Sequence, residues 1–186
     1  MESGCTDVLV WLVHSMKDIN AQDYTFRWNG KRTVKTQNIA EHHAHTAQAL
    51  LLLFQFYDVP QADQLEALKR AVIHDLPETF LSDIPYPAHV AYPELSEAYD
   101  AAEVDVWKTK FAELADDADI TKETPVWRLV KCADRLDRYV FAMCEQDLGN
   151  SSLWVDQTLR EEGLAIQNLL KKLLEDYGRT GQTCSE

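Results

Sequence analysis

From Pro125 to about residue 147 the chain reads "PVWRLVKCADRLDRYVFAMCEQD", with Leu129, Val130, Ala133, Leu136, Val140 and Met143 recurring at spacings of three and four. That period belongs to an α-helix with one apolar face, and such a face must be buried against other elements. The same period recurs along the chain. Residues 5–18 carry Val8, Leu9, Leu12 and Val13; residues 39–57 carry Ile39, Ala40, Ala44, Ala47, Leu50, Leu51 and Phe54. Residues 62–76 carry Leu65, Leu68, Val72 and Leu76; residues 152–177 carry Leu159, Leu164, Ile166, Leu169, Leu170 and Leu173. Residues 94–114 read as an acidic amphipathic helix. No convincing strand hairpin and no internal repeat appears. The expected fold is all-α, six or seven helices around one core, with 1–178 as a single domain and 179–186 as a flexible tail.

Local chemistry marks the boundaries. Asn38 is placed to cap the helix at 39, with Glu41 three residues on as in a capping box. Thr124 is placed to cap the helix at 125, with Pro125 at its first position. Residues 20–37, with Asn29-Gly30, and residues 79–93, with three prolines, read as loops.

Several partner classes are disfavoured. The N-terminus lacks the basic start of a signal peptide, and no apolar run approaches the roughly 20 residues that cross a bilayer. A soluble, cytoplasmic protein with no membrane partner is expected. The net charge of −13 repels phosphate backbones, so no nucleic-acid polymer is expected. One stretch runs against that charge: Arg27, Lys31, Arg32 and Lys35 are four of the 18 cations, and residues 27–40 hold no carboxylate. Cys5, Cys132, Cys144 and Cys184 lie far apart without a C-x-x-C, so reduced thiols are expected rather than a zinc knuckle.

Three predicted helices carry polar groups where a core helix would have none. The first has "AEHHAH", with His42, His43 and His45. The second ends in His74-Asp75. The third has Asp134 and Asp137 among apolar neighbours. A buried carboxylate is costly unless paired or metal-bound. Two neutral imidazoles and two carboxylates would balance a divalent ion, and mixed N and O ligands suit Mn²⁺, Co²⁺, Fe²⁺, Zn²⁺ or Ni²⁺ better than Ca²⁺. Adjacent His and Asp point about 100° apart on a helix, so they share an ion only at a helix end.

His…His-Asp…Asp on separate helices resembles the HD-domain metal-dependent phosphohydrolases, and among them the YfbR-type 5'-deoxynucleotidases. The resemblance is carried by Arg27-Trp28, the basic "KRTVK" loop, "AEH" ending in His42, His74-Asp75-Leu76-Pro77-Glu78, Asp83-Ile84-Pro85-Tyr86-Pro87, and Lys131-Cys132-Ala133-Asp134. It covers about residues 25–140. It implies a single HD-domain bundle in which His42, His74, Asp75 and Asp134 hold a divalent ion (Co, Mn, Zn, Ni, Fe or Mg). It implies Glu78 as the catalytic carboxylate, and Arg27 on the phosphate with Lys31, Arg32 or Lys35 assisting. Trp28 lies near the sugar, and Asp83, Ile84, Pro85 and Tyr86 line the pocket. His43, His45 and Asp137 match no ligand position and are left as supporting, core or surface residues. "AEH" stands where the family has "SEH", Gln37 where it has Glu, and Tyr86 where it has a smaller residue.

The expected activity is hydrolysis of a deoxynucleotide at the α-phosphorus, from a monophosphate or, as in phage-type dATP triphosphohydrolases, a triphosphate. The partner is a small deoxynucleotide. The apolar excess on the last helix and the resemblance predict a homo-oligomer, dimer or larger. A (p)ppGpp hydrolase would carry Asp after Glu78, where Thr79 stands. A cyclic-nucleotide phosphodiesterase of the same superfamily is a further reading, but Arg27-Trp28 favours simple deoxynucleotides. A non-catalytic nucleotide-binding module often lacks a ligand or the carboxylate, and none is missing. A bare helical bundle would hold no metal.

Overall fold

The computed structural model describes residues 3–28, 30–82, 88, 91–114 and 123–180. Among them are seven α-helices: α1 Ser3–Asn20, α2 Ile39–Phe56, α3 Gln61–Ala71, α4 Glu78–Leu81, α5 Pro93–Lys110, α6 Pro125–Asp147 and α7 Leu153–Tyr177. A short 3₁₀ turn, Ala21–Tyr24, follows α1. No strand longer than an isolated bridge occurs among the described residues, as the helical period requires.

The chain divides into two compact units. One holds Met1–Gly30, Thr36–Glu41 and Asp75–Asp116; the other holds Lys31–Lys35, His42–His74 and Asp117–Glu186. The core of the second unit is built from Leu50, Leu53 and Phe54 of α2, Ala67 and Ala71 of α3, Leu129, Val130 and Ala133 of α6, and Ile166, Leu169 and Leu173 of α7. Burying a large aliphatic side chain contributes roughly 1.5–3 kcal/mol, so these residues dominate its stability. The Tyr57 hydroxyl donates to the Leu170 carbonyl at 3.1 Å. Thr180 N–H donates to the Phe56 carbonyl at 3.2 Å, so Thr180, placed in the expected tail, is hydrogen-bonded to the end of α2. Residues 181–186 lie outside the described residues.

In the first unit, Phe26 and Asn38 form an isolated bridge. Arg27 N–H donates to the Gln37 carbonyl at 2.9 Å, and Ile39 N–H to Thr25 at 3.0 Å. Phe80 of α4 meets Phe111 edge-on at 5.9 Å, just past the end of α5.

Both expected caps form. Glu41 N–H donates to Asn38 Oδ1 at 2.8 Å while Asn38 N–H donates to Glu41 Oε2 at 3.0 Å, a reciprocal capping box. Trp127 N–H donates to Thr124 Oγ1 at 3.0 Å. α3 differs from expectation. It ends at Ala71, and its buried face is Ala67 and Ala71, while Leu65 is 58% and Val72 47% exposed. Two small residues sit where α3 contacts its neighbours, and small residues allow helices a close approach. Cys132 and Cys144 are free thiols; burial pushes the Cys132 thiol up to about 12. Cys184 and the Cys5 side chain lie outside the described residues.

Candidate metal centre

His42, in the first turns of α2, is fully buried. Its Nδ1 lies 2.6 Å from Asp137 Oδ2. The Nδ1 of His74 lies 3.0 Å from the Ala71 carbonyl. A carboxylate and a carbonyl only accept hydrogen bonds, so each ring carries its proton on Nδ1. In the neutral form of each ring Nε2 presents a lone pair, and the two Nε2 atoms stand 3.1 Å apart. Two facing lone pairs repel unless a proton or a metal cation lies between them. Asp134 adds a negative oxygen, with Oδ1 3.5 Å from His42 Nε2. The ligand atoms of His42, His74 and Asp134 all lie within 4.8 Å of one another. Two imidazole lone pairs and a carboxylate suit a divalent transition metal ion.

Asp134 is 4% exposed on α6. Burial pushes its carboxyl up, but Arg138, Lys131, His42 and His74 outweigh that and hold it well below the usual carboxylate range. Lys131 Nζ lies 2.8 Å from Oδ2 and Arg138 Nε 3.3 Å from Oδ1. The residue is therefore ionised, the state a ligand needs.

Asp137, one helical turn after Asp134, also accepts from His45 Nδ1 at 2.9 Å. It is 6% exposed, while the His45 side chain is 53% exposed. A carboxylate on the far nitrogen of a ligating histidine selects the tautomer and raises its basicity. Sequence matching gave Asp137 no defined role. The signal that would have found it is its position: a second Asp at i+3 shares a buried helix face with the first. His43 is also buried, its ring 4.8 Å from that of His74.

The His74-Asp75 pair lies past the end of α3, not on its last helical turn. Val72 N–H donates to the Leu68 carbonyl and His74 N–H to Arg70. The Ala71 carbonyl, which Asp75 N–H would take in a continuing helix, is instead beside His74 Nδ1. Pro77 lacks the N–H that Ile73 would need and disfavours helix at Leu76. Asp75 belongs to the other compact unit, as does Glu78, which opens α4; Glu78 N–H donates to the Asp75 carbonyl at 3.0 Å. Burial, then Asp75, then Asp100 push the carboxyl of Glu103 up to about 7.

Arg27 and Trp28 belong to that same unit. Trp28 has φ +66°, uncommon for a large side chain, and its indole donates to Gln37 Oε1 at 3.1 Å. Gln37 is 3% exposed, so it anchors Trp28 from inside the unit. Lys31, Arg32 and Lys35 lie with His42, His74 and Asp134 in the second unit. Asp83, Ile84, Pro85 and Tyr86 lie outside the described residues.

Residues 14–172 match the family model described as 5'-deoxynucleotidase YfbR-like. The chain belongs to the YfbR-like family. One relative is the 5'-deoxynucleotidase YfbR of Salmonella typhi, 28% identical over 155 residues that cover 76% of this chain and 77% of the relative. Among solved structures, a Pyrococcus horikoshii protein is similar at TM-score 0.70 and 26% identity, over 89% of this chain and 98% of that one. The cyanophage S-2L HD phosphohydrolase DatZ, bound to dA and one catalytic Zn²⁺ ion, is similar at TM-score 0.52 and 21% identity, over 84% of this chain and 96% of that one. Fold and family together make this chain an all-α HD-domain phosphohydrolase. No helix among the described residues is long and apolar enough to cross a membrane.

Proposed function

We propose that this YfbR-like chain hydrolyses the 5'-phosphoester of 2'-deoxyribonucleotides at the α-phosphorus and releases the deoxynucleoside. The observation that carries the reading is the pair of Nε2 atoms of His42 and His74, 3.1 Å apart, converging beside the ionised carboxylate of Asp134. The name of the Salmonella relative and the dA held by the cyanophage enzyme support the deoxynucleotide part of the reading.

His42, His74 and Asp134 would hold a divalent ion, with Asp75, the next residue after His74, as a further ligand. Such an ion supplies Lewis acidity and lowers the pKa of a water from 15.7 to as little as about 7. Glu78 acts as general acid and base, taking the proton of the attacking water and delivering one to the leaving 5'-oxygen. Arg27 binds the phosphoryl oxygens, since a planar guanidinium can meet two at once. Lys31, Arg32 and Lys35 add positive charge for the phosphate. Trp28 packs at the sugar, and the Asp83, Ile84, Pro85 and Tyr86 segment walls the pocket. The breaking bond is the phosphorus–5'-oxygen bond. Phosphate leaves from a monophosphate, triphosphate from a triphosphate.

The deciding experiment incubates the protein with dAMP, dATP, dGTP and ATP plus Mn²⁺ or Co²⁺ and identifies the products. Deoxyadenosine or deoxyguanosine, with ATP cleaved more slowly, is the expected result. Diphosphate products, or ATP cleaved as fast as dATP, would overturn the reading.

A further inference from the structure

The basic loop is held by a buried acid. Glu145 of α6 has no exposed surface. Its two carboxylate oxygens accept the backbone N–H groups of Val34 and Lys35, each at 2.7 Å. Asn150 Nδ2 donates to the same carboxylate at 2.7 Å and to the Arg32 carbonyl at 2.9 Å. The Trp154 indole also reaches the Arg32 carbonyl, at 3.3 Å. Three elements, α6, the turn after it and α7, thus hold three loop residues, Arg32, Val34 and Lys35, by their backbone. Burial pushes the Glu145 carboxyl up, but the donors from Asn150, Lys35 and Val34 outweigh it, and the group stays below its ordinary value, ionised. A carboxylate taken from water needs donors in its place, and here the loop backbone supplies two of them.

The grip leaves the loop's own charges available. Arg70, Arg128, Lys131, Arg135, Arg138 and Lys172 each pair with a carboxylate. Among the described residues, the side chains of Lys31, Arg32 and Lys35 form no hydrogen bond or ion pair, and Arg32 and Lys35 are exposed. In a chain of net charge −13, none of these three cations in five residues closes an ion pair, although the Lys35 charge helps hold the Glu145 carboxyl down, and the backbone beneath them is held still. Cations on a restrained loop bind an anion with less ordering cost than cations on a mobile one.

We propose that Glu145, with Asn150 and Trp154, is a positioning clamp that prearranges Lys31, Arg32 and Lys35 for the phosphate oxygens of the substrate. The inference rests on the reading above, in which this loop meets the phosphate. Glu145→Gln keeps the shape but presents an amide N–H to one of the two backbone N–H donors, which releases that contact.

The test is calorimetric binding of inorganic tripolyphosphate and, separately, of deoxyadenosine to the full metal-loaded chain at constant salt. In Glu145→Gln the tripolyphosphate Kd should rise about tenfold, while deoxyadenosine affinity and metal stoichiometry stay within about twofold. Asn150→Ala and Trp154→Phe should weaken tripolyphosphate by smaller factors, and they decide the matter if Glu145→Gln does not fold. Unchanged tripolyphosphate binding overturns the clamp. So does an equal loss for both ligands, which marks a merely structural role, and so does a wild type that ignores tripolyphosphate. A wild type that binds tripolyphosphate, loses it in the variants, yet cleaves no deoxynucleotide refutes the proposed function and leaves the clamp standing.

Discussion

Asp137 Oδ2 stands 2.6 Å from His42 Nδ1, and the contact decides which nitrogen of His42 faces the candidate metal centre. The same carboxylate spans to His45 Nδ1 with its other oxygen. One buried acid therefore orients a buried imidazole while also holding an exposed one. In Asp137→Asn only one oxygen remains, and the amide N–H₂ has to face a ring nitrogen. Metal affinity should fall about 10- to 100-fold, measured by competition with a chromophoric chelator. His45→Ala should shift it little. Equal affinities in wild type and Asp137→Asn would remove Asp137 from this role.

His74→Ala and Asp134→Ala should each purify with little metal and without activity, as read by elemental analysis and product assay. Each takes one of the three donors that lie within 4.8 Å of one another. Asp134→Ala has a second consequence: Lys131 and Arg138 lose their shared carboxylate. Both cations are 32% exposed and Arg138 keeps Glu162, so the broken pairs should cost only about 1 kcal/mol or less, read as a small drop in melting temperature. Full metal content in either protein would sink the assignment.

Glu78→Gln separates binding from turnover. The proposal gives Glu78 a proton to move and no ligand bond. The variant should keep its metal and lose about 10²- to 10⁴-fold in kcat, the usual contribution of a positioned acid or base. A variant that turns over at the wild-type rate would show that some other group moves the proton.

The helix starts were legible in the sequence because each rests on local chemistry. Asn38 and Glu41 are three residues apart, and their capping box needs nothing distant. Thr124 is the same case. His42, His74 and Asp134 stand out in the sequence as ionisable groups on apolar helices, and the structure brings their ligand atoms within 4.8 Å of one another. The end of α3 was not legible: Val72 and Leu76 continue the helical period, but the His74 ring takes the Ala71 carbonyl and Pro77 removes a donor. Side-chain competition for a backbone group leaves no periodic trace. The clamp was hidden for another reason. Glu145 and Val34 are 111 residues apart, and nothing in either stretch names the other.

Asn38→Ala tests how much the capping box contributes. It removes the acceptor for Glu41 N–H at the start of the helix that carries His42. The expected loss is about 1 kcal/mol in denaturant unfolding, with Glu41→Ala costing less because only the return bond goes. An unchanged midpoint would mean that packing around Ile39, fully buried at the first turn, holds the helix start alone.

Glu103 gives the metal-free chain a pH dependence of stability. Its carboxyl is pushed up to about 7 by burial, by Asp75 and by Asp100, against about 4.3 in an unfolded chain. The folded state therefore holds this proton more tightly than the unfolded state. Its contribution to stability is fully present below about pH 4.3 and is lost as pH rises through about 7. Metal-free Glu103→Gln, which stays neutral, should be stabilised over wild type, and by more at pH 8 than at pH 5. Under the proposed ligand set, which includes Asp75, adding the divalent ion should shrink the difference, because the cation would offset the Asp75 charge that raises Glu103. Thermal melts at the two pH values, with and without metal, read this directly. A gain of equal size at both pH values would mean that side-chain shape rather than charge is responsible.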